Sequence, residues 1–158
     1  MTDVLATLSA SKPRRLFGLG VLLSLGFGLI YLALARPPAA FGWQLFLLAM
    51  GGAALVLGEK MRRATANKVV LTKEGLFDSE GNVLAPIEEI EAVERGPFAM
   101  KPSNGFMVRL STARGRAWAP GLWWRLGHRL GVGGVTPAAQ AKLMSEALTV
   151  LLMERDED

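Results

Sequence analysis

The side chains able to do chemistry in this chain are few, and their distribution narrows what that chemistry is. There is no cysteine, which excludes a disulfide, a thiolate nucleophile and any cysteine-ligated metal. His128 is the single histidine, so a His-rich metal site is excluded, and any His–carboxylate pairing must use it. Glu88, Glu89 and Glu91 crowd one short stretch, but neighbouring glutamates in an exposed turn read as solvated charge. The reading therefore assigns no catalytic residue, no metal ligand and no cofactor.

The least ordinary stretch is residues 118–134, WAPGLWWRLGHRLGVGG, which holds three of the four tryptophans with arginines between them. Tryptophan beside arginine suits a boundary between hydrocarbon and phosphate, and the same two residues dominate protein–protein hot spots. The interface candidates are Trp118, Trp123, Trp124, Arg125 and Arg129. If the segment is helical after Pro120, Leu122, Leu126 and Leu130 stack at a spacing of four, and Arg125, His128 and Arg129 turn to another side. Three uses stay open: a plug for the end of a sheet, with the arginines in solvent; a contact with anionic lipid headgroups; and a contact with a partner protein. Aromatic–basic mixing also suits single-stranded nucleic acid, but no RNA-binding signature is present, and the reading is no nucleic acid. Gly131, Gly133 and Gly134 lack the Lys-Ser/Thr of a nucleotide loop and read as a flexible lead-in to Thr136.

These residues have to be positioned by something, and the first third of the chain supplies the anchor. Residues 16–35 and 38–58 form two apolar runs without a Lys, Arg, Asp or Glu, separated by Arg36-Pro37. Twenty helical residues cover about 30 Å, the thickness of a bilayer's hydrocarbon core. Lys12, Arg14 and Arg15 precede the first run, and Lys60, Arg62, Arg63 and Lys68 follow the second, against Arg36 alone in the connection. That asymmetry places both termini in the cytoplasm. A competing reading is a signal peptide cleaved after Ala33-Leu34-Ala35, which the length of the run and the second span disfavour. Gly20, Ser24 and Gly28 lie on one face of the first helix, and Ala49 and Ala53, with Ala54 and Gly58 beside them, offer a similar strip on the second. Small residues let helices approach in lipid, so these five are candidates for packing within the hairpin or against another membrane protein. An embedded enzyme or carrier needs an ionisable group within its spans, and these spans have none.

Charge is segregated along the remaining hundred residues. From Glu74 to Glu94 there are seven acids and no base; from Arg95 to Ser145 there are eight bases and no acid. A domain built this way is expected to be electrically two-sided.

The soluble part reads as a meander. Val69-Val70-Leu71, Leu76-Phe77 and Phe106–Leu110 are short strands. Polar turns ending on Gly75, Gly81 and Gly115 follow the pattern of glycine-closed hairpins. Ile87, Ile90 and Val93, three apart, suggest a helical turn leading into a strand. Thr136-Pro137 opens a last helix with Thr as cap, whose apolar face is Leu143, Ala147, Leu148, Leu151 and Leu152, ending near Glu154. Residues 1–11 are short and mixed, expected as a frayed tail or a brief interfacial turn.

Two spans followed by VVLTKEGLFDSEGNVLAPIEEIEAVERG, then GFMVRLS, GRAWAPG and an amphipathic helix resemble the small bacterial membrane proteins that carry a pleckstrin-homology-like domain. The matching features are a T-x-x-G-L step at Thr72–Leu76, a P-I-x-x-I-x-x-V step at Pro86–Val93, and the closing helix. The resemblance implies a seven-stranded bent sheet or open barrel capped by one helix, with no enzymatic activity. The organisation that follows is a cytoplasmic tail (1–15), a two-helix transmembrane hairpin (16–58) and a cytoplasmic α+β domain (59–158). The expected setting is the bacterial inner membrane, and the expected role is that of an accessory or assembly component of a membrane protein complex. Sensing of anionic lipid headgroups is the alternative.

Overall fold

A computed structural model describes residues 3–96 and 101–158. In chain order it contains β1 (Val4–Ser9), α1 (Lys12–Ala35), α2 (Phe41–Ala64), β2 (Lys68–Thr72), β3 (Gly75–Asp78) and β4 (Val83–Pro86). A single 3₁₀ turn (Ile87–Glu89) follows, then β5 (Ile90–Glu94), β6 (Phe106–Ala119), β7 (Trp123–Val132) and α3 (Ala138–Glu157).

The two apolar runs form the helical hairpin. Pro13 sits in the first turn of α1, where its missing N–H costs nothing, and the helix stops at Arg36, before Pro37. Both helices are long and apolar enough to cross a membrane. Only 11% and 17% of their most apolar windows are buried, unlike the core helix of a soluble protein. The helices meet through Gly26 and Gly51, where a Cβ on either would come within 3.0 Å of the other's carbonyl oxygen. Ala33, Ala54, Gly58 and Met61 are also buried. Gln44, the one amide in the spans, donates from Nε2 to the Ala33 carbonyl at 3.0 Å, so no polar group is stranded between the helices. Of the strips expected to do this packing, Ala54 and Gly58 are in place, but Gly20, Ser24, Gly28, Ala49 and Ala53 are all exposed, and a Cβ on Gly20 or Gly28 meets nothing within 4 Å. Both strips have the required spacing, and only the register of the hairpin decides which one faces inward.

The expected tail is a strand. In β1, Ala6 and Leu8 are buried while Leu5 and Thr7 are exposed, an alternation too short to announce itself against the apolar run beside it. β1 pairs antiparallel with β2, from Val4 opposite Thr72 to Ser9 opposite Lys68, and a sheet β1-β2-β3-β4 results. The sheet domain is thus built from both sides of the hairpin. A second antiparallel sheet has the order β5-β6-β7. Gly75 and Gly81 have positive φ, as glycine-closed turns require. The third expected turn, at Ser111–Gly115, is absent: β6 runs through it to Ala119 and absorbs the extra residues as register shifts against β7.

The core is shared by both sheets and α3. It joins Leu8, Leu71, Leu76, Leu84, Ile90, Phe106, Leu110, Leu122 and Leu130 to Ala141, Met144, Leu148 and Leu152. The buried stripe of α3 is rotated from the expected one, because Ser145 belongs to it and Leu143 does not. Ser145 is accommodated by donating its hydroxyl to the Lys142 carbonyl at 2.8 Å. Thr136 does not cap α3: its hydroxyl donates to the Asn104 carbonyl at 3.1 Å, and the helix runs to Glu157.

The charge blocks are adjacent in space. The acidic β5 region lies antiparallel to basic β6, so Arg114 pairs with Glu89, and Arg109 reaches Glu91 at 3.1 Å and Glu94 at 3.7 Å. Part of the separation along the chain has become pairing across strands.

This geometry orders the hairpin glycines by consequence. Gly26→Leu with Gly51→Leu should overpack the helix contact at about 1–3 kcal/mol per site and sharply lower the melting temperature of the detergent-solubilised chain. Gly20→Leu with Gly28→Leu should leave that melt unchanged. A reversed order would show that the other strip is the packed one.

Candidate functional site

The interface candidates fall on β6, β7 and the turn between them, and that hairpin is sharply folded. Ten residues of straight strand cover about 33 Å. Yet the carbonyl of Leu122, just before β7, accepts from the N–H of Gly133, just after it, at 2.7 Å. The bend falls where β6 gains residues on β7, between Arg109 and Arg114 and again before Ala117, and where Gly127 takes φ +57°. The helix considered for this segment is therefore a bent strand. Leu122 and Leu130 are buried, and Leu126 is left outside.

Both ends of the folded hairpin meet the base of the two apolar helices. Val135 N–H donates to Gly121 O at 3.0 Å, and Ser11 N–H, at the start of α1, donates to Val135 O at 2.7 Å. Gly121 packs against Thr65 and Met61 at the end of α2. Arg15 closes the circuit, donating from Nε to Thr65 Oγ1 at 2.7 Å and from Nη2 to Arg62 O at 3.0 Å, while Arg14 donates to Thr136 O at 2.8 Å. The glycines expected to form a flexible lead-in are instead places of close approach. The Trp124 ring occupies the space a Cβ on Gly131 would need, Gly133 lies against Gly105, and Gly134 lies against Gly121.

This frame separates the five candidates. Trp123 is half-buried against the core, with the Arg125 guanidinium 6.0 Å from its ring centroid. Trp124 lies over Gly131. Arg125 is turned inward as a tie between the sheets: its Nε donates to Gly115 O at 2.9 Å and its Nη1 to Leu84 O at 3.0 Å. Burial, and then the nearby Arg114 charge, lower its pKa from the usual arginine value. Arg129 is exposed and in register with Arg109, beyond the Gly127 bend. Trp118 is 59% exposed and lines a cleft of about 320 Å³ with Lys60, Arg63 and Asn67 at the end of α2. Lys60 and Arg63 were legible only as bases flanking a span, and nothing in their spacing joins them to a tryptophan 55 to 58 positions on.

Two further titratable groups serve the scaffold. Hydrogen bonding to Arg114 lowers the Glu89 pKa, so that pairing supports the fold above the ordinary carboxylate range and is lost as pH falls through the lowered value. His128 Nδ1 lies 3.1 Å from the Leu110 carbonyl, a bond that suits the Nδ1–H tautomer. Among the described residues no three His, Asp or Glu side chains converge as metal ligands. Comparison with known proteins returned no matching family model, no matching curated protein and no matching solved structure.

Arg125 and Trp118 should behave in opposite ways on mutation. Arg125→Met leaves several carbonyls without a charged donor and should cost about 2 kcal/mol, seen as an earlier unfolding transition by circular dichroism. Trp118→Ala should stay within about 0.5 kcal/mol of wild type. Equal losses would mean that both side chains hold the fold together.

Proposed function

We propose that this protein is a non-enzymatic, membrane-anchored interaction module of the bacterial inner membrane, with both termini and the sheet domain in the cytoplasm. It presents that domain to a partner membrane protein as an accessory or assembly component. The orientation rests on the seven bases at the domain end of the hairpin against Arg36 at the other. A pleckstrin-homology-like reading of the domain is supported by seven strands in a four-plus-three arrangement with a closing helix. The departure from the expected pattern is the membrane hairpin, which enters between β1 and β2.

The observation that carries the interaction reading is the outer face of α3. Leu143, Val150 and Met153 are 62%, 53% and 60% exposed. Spacings of seven and three put them on one side of the helix, opposite the stripe that packs on the sheets. Large apolar groups grouped on one face of an ordered helix mark a contact surface, whereas scattered ones do not. Because the domain is tied to the base of the hairpin, that face is held in a fixed relation to the membrane helices.

A photo-crosslinking residue at Val150 of the full chain, irradiated in native membranes, should give one discrete protein adduct. The same residue at Asp158 should give none. Crosslinks at both positions alike, or at neither, would remove α3 as the partner face.

A further inference from the structure

The cleft beside Trp118 has features that the partner reading does not use. Its floor is the last turn of α2. The apolar part of that helix runs from Phe41 to Gly58, about 27 Å at 1.5 Å per residue, which brings Lys60 and Arg63 out at the headgroup layer. Glu59 accepts from Nε and Nη2 of Arg62 and from Nε of Arg63, each at 2.8 Å, so part of the guanidinium donor set is engaged. Among the described residues Lys60 has no ion pair, and the helix end keeps an excess of positive charge. Asn67 uses its carboxamide oxygen to accept from Ser79 Oγ at 3.4 Å, which leaves its amide hydrogens available. The facing wall is Trp118, Ala119 and Pro120, an apolar surface with an indole donor.

We propose that this cleft binds the headgroup of a singly charged phosphodiester lipid of the domain-side leaflet. The phosphate sits against Lys60 and Arg63, and the glycerol region packs on Trp118. The proposal rests on the reading of the hairpin as a membrane anchor, and deepens it by naming a lipid class. Three observations select a lipid over a free ion: the depth at which the helix delivers its bases, the aromatic–apolar wall opposite them, and an acid, Glu59, that already offsets part of the charge. A modest surplus of positive charge beside apolar surface fits one negative charge attached to acyl chains. Arg129, beyond the bend of β7, takes no part.

The test uses the full chain in mild detergent with equal amounts of phosphatidylglycerol and phosphatidylcholine, the retained lipids being weighed by native mass spectrometry. Wild type should retain phosphatidylglycerol in preference. Lys60→Gln should cut that preference about fivefold, the worth of one base at a headgroup surface, and adding Trp118→Ala should reduce total retention. Arg129→Gln should change neither quantity. A wild type without preference, or variants that keep it, would overturn the headgroup cleft. So would loss of the lipid to excess inorganic phosphate, which would mark a free-ion site. Extraction of the chain from native membranes by alkaline carbonate would overturn the anchor itself, and the cleft with it.

Discussion

The pairing of β1 with β2 is the constraint on which the rest of this architecture depends. These strands are neighbours in one sheet, yet the two apolar helices and their connection lie between them in the chain. Antiparallel neighbours can be joined by two residues; here the connection is a helical hairpin, which must leave and re-enter the sheet at nearly the same point. The hairpin is therefore held at both ends by backbone hydrogen bonds, and the domain is not a bead on a linker. Ser11, Val135, Gly121, Thr65 and Arg15 then lock the junction. Arg14 and Arg15, at the start of α1, serve as ties to Thr136 and to the end of α2.

The second sheet is shaped to meet that junction. A straight β6–β7 hairpin would carry its turn far from its open end. The bend returns Gly133 to Leu122, so both ends reach the helix bases together. Arg125 stabilises the bend from within by bonding to carbonyls of β4 and β6, and the Arg114–Glu89 and Arg109–Glu91 pairs fasten β6 to the acidic segment. An exposed pair such as Arg109–Glu91 contributes little to stability singly, and Arg114–Glu89 is only half-buried. Their use here is register: the acidic and basic runs align as antiparallel partners.

How much of this was legible depended on whether a signal was local. The hairpin, the glycine-closed turns at Gly75 and Gly81, the 3₁₀ step at Ile87 and the closing helix each declare themselves within a few residues, and each is present. β1 did not, because six residues carry a meaningful alternation only when a partner strand is known, and that partner lies beyond the helices. The 118–134 stretch admitted a helical reading because leucines at a spacing of four also fit a strand that bends at a glycine. Gly20 and Gly28 were expected at the helix contact and Gly26 and Gly51 form it, because spacing alone marks small residues and tertiary register selects the face. Of the five interface candidates, Trp123 and Arg125 turned inward for want of any local cue to the bend, and Trp118 acquired its basic neighbours from a distant helix.

The claim that the hairpin and the domain form one body through β1 is tested most directly by hydrogen exchange of the full chain in lipid nanodiscs, read at the amides of Ala6 and Leu8, the ones that face β2 in the antiparallel register. If β1 is paired as described, those amides exchange within about tenfold of the β2 amides of Val69 to Leu71, because breaking the ladder exposes both strands together. Exchange at the rate of an unstructured peptide, with β2 still protected, would mean that the N-terminal segment is a free tail and that the domain hangs from α2 alone.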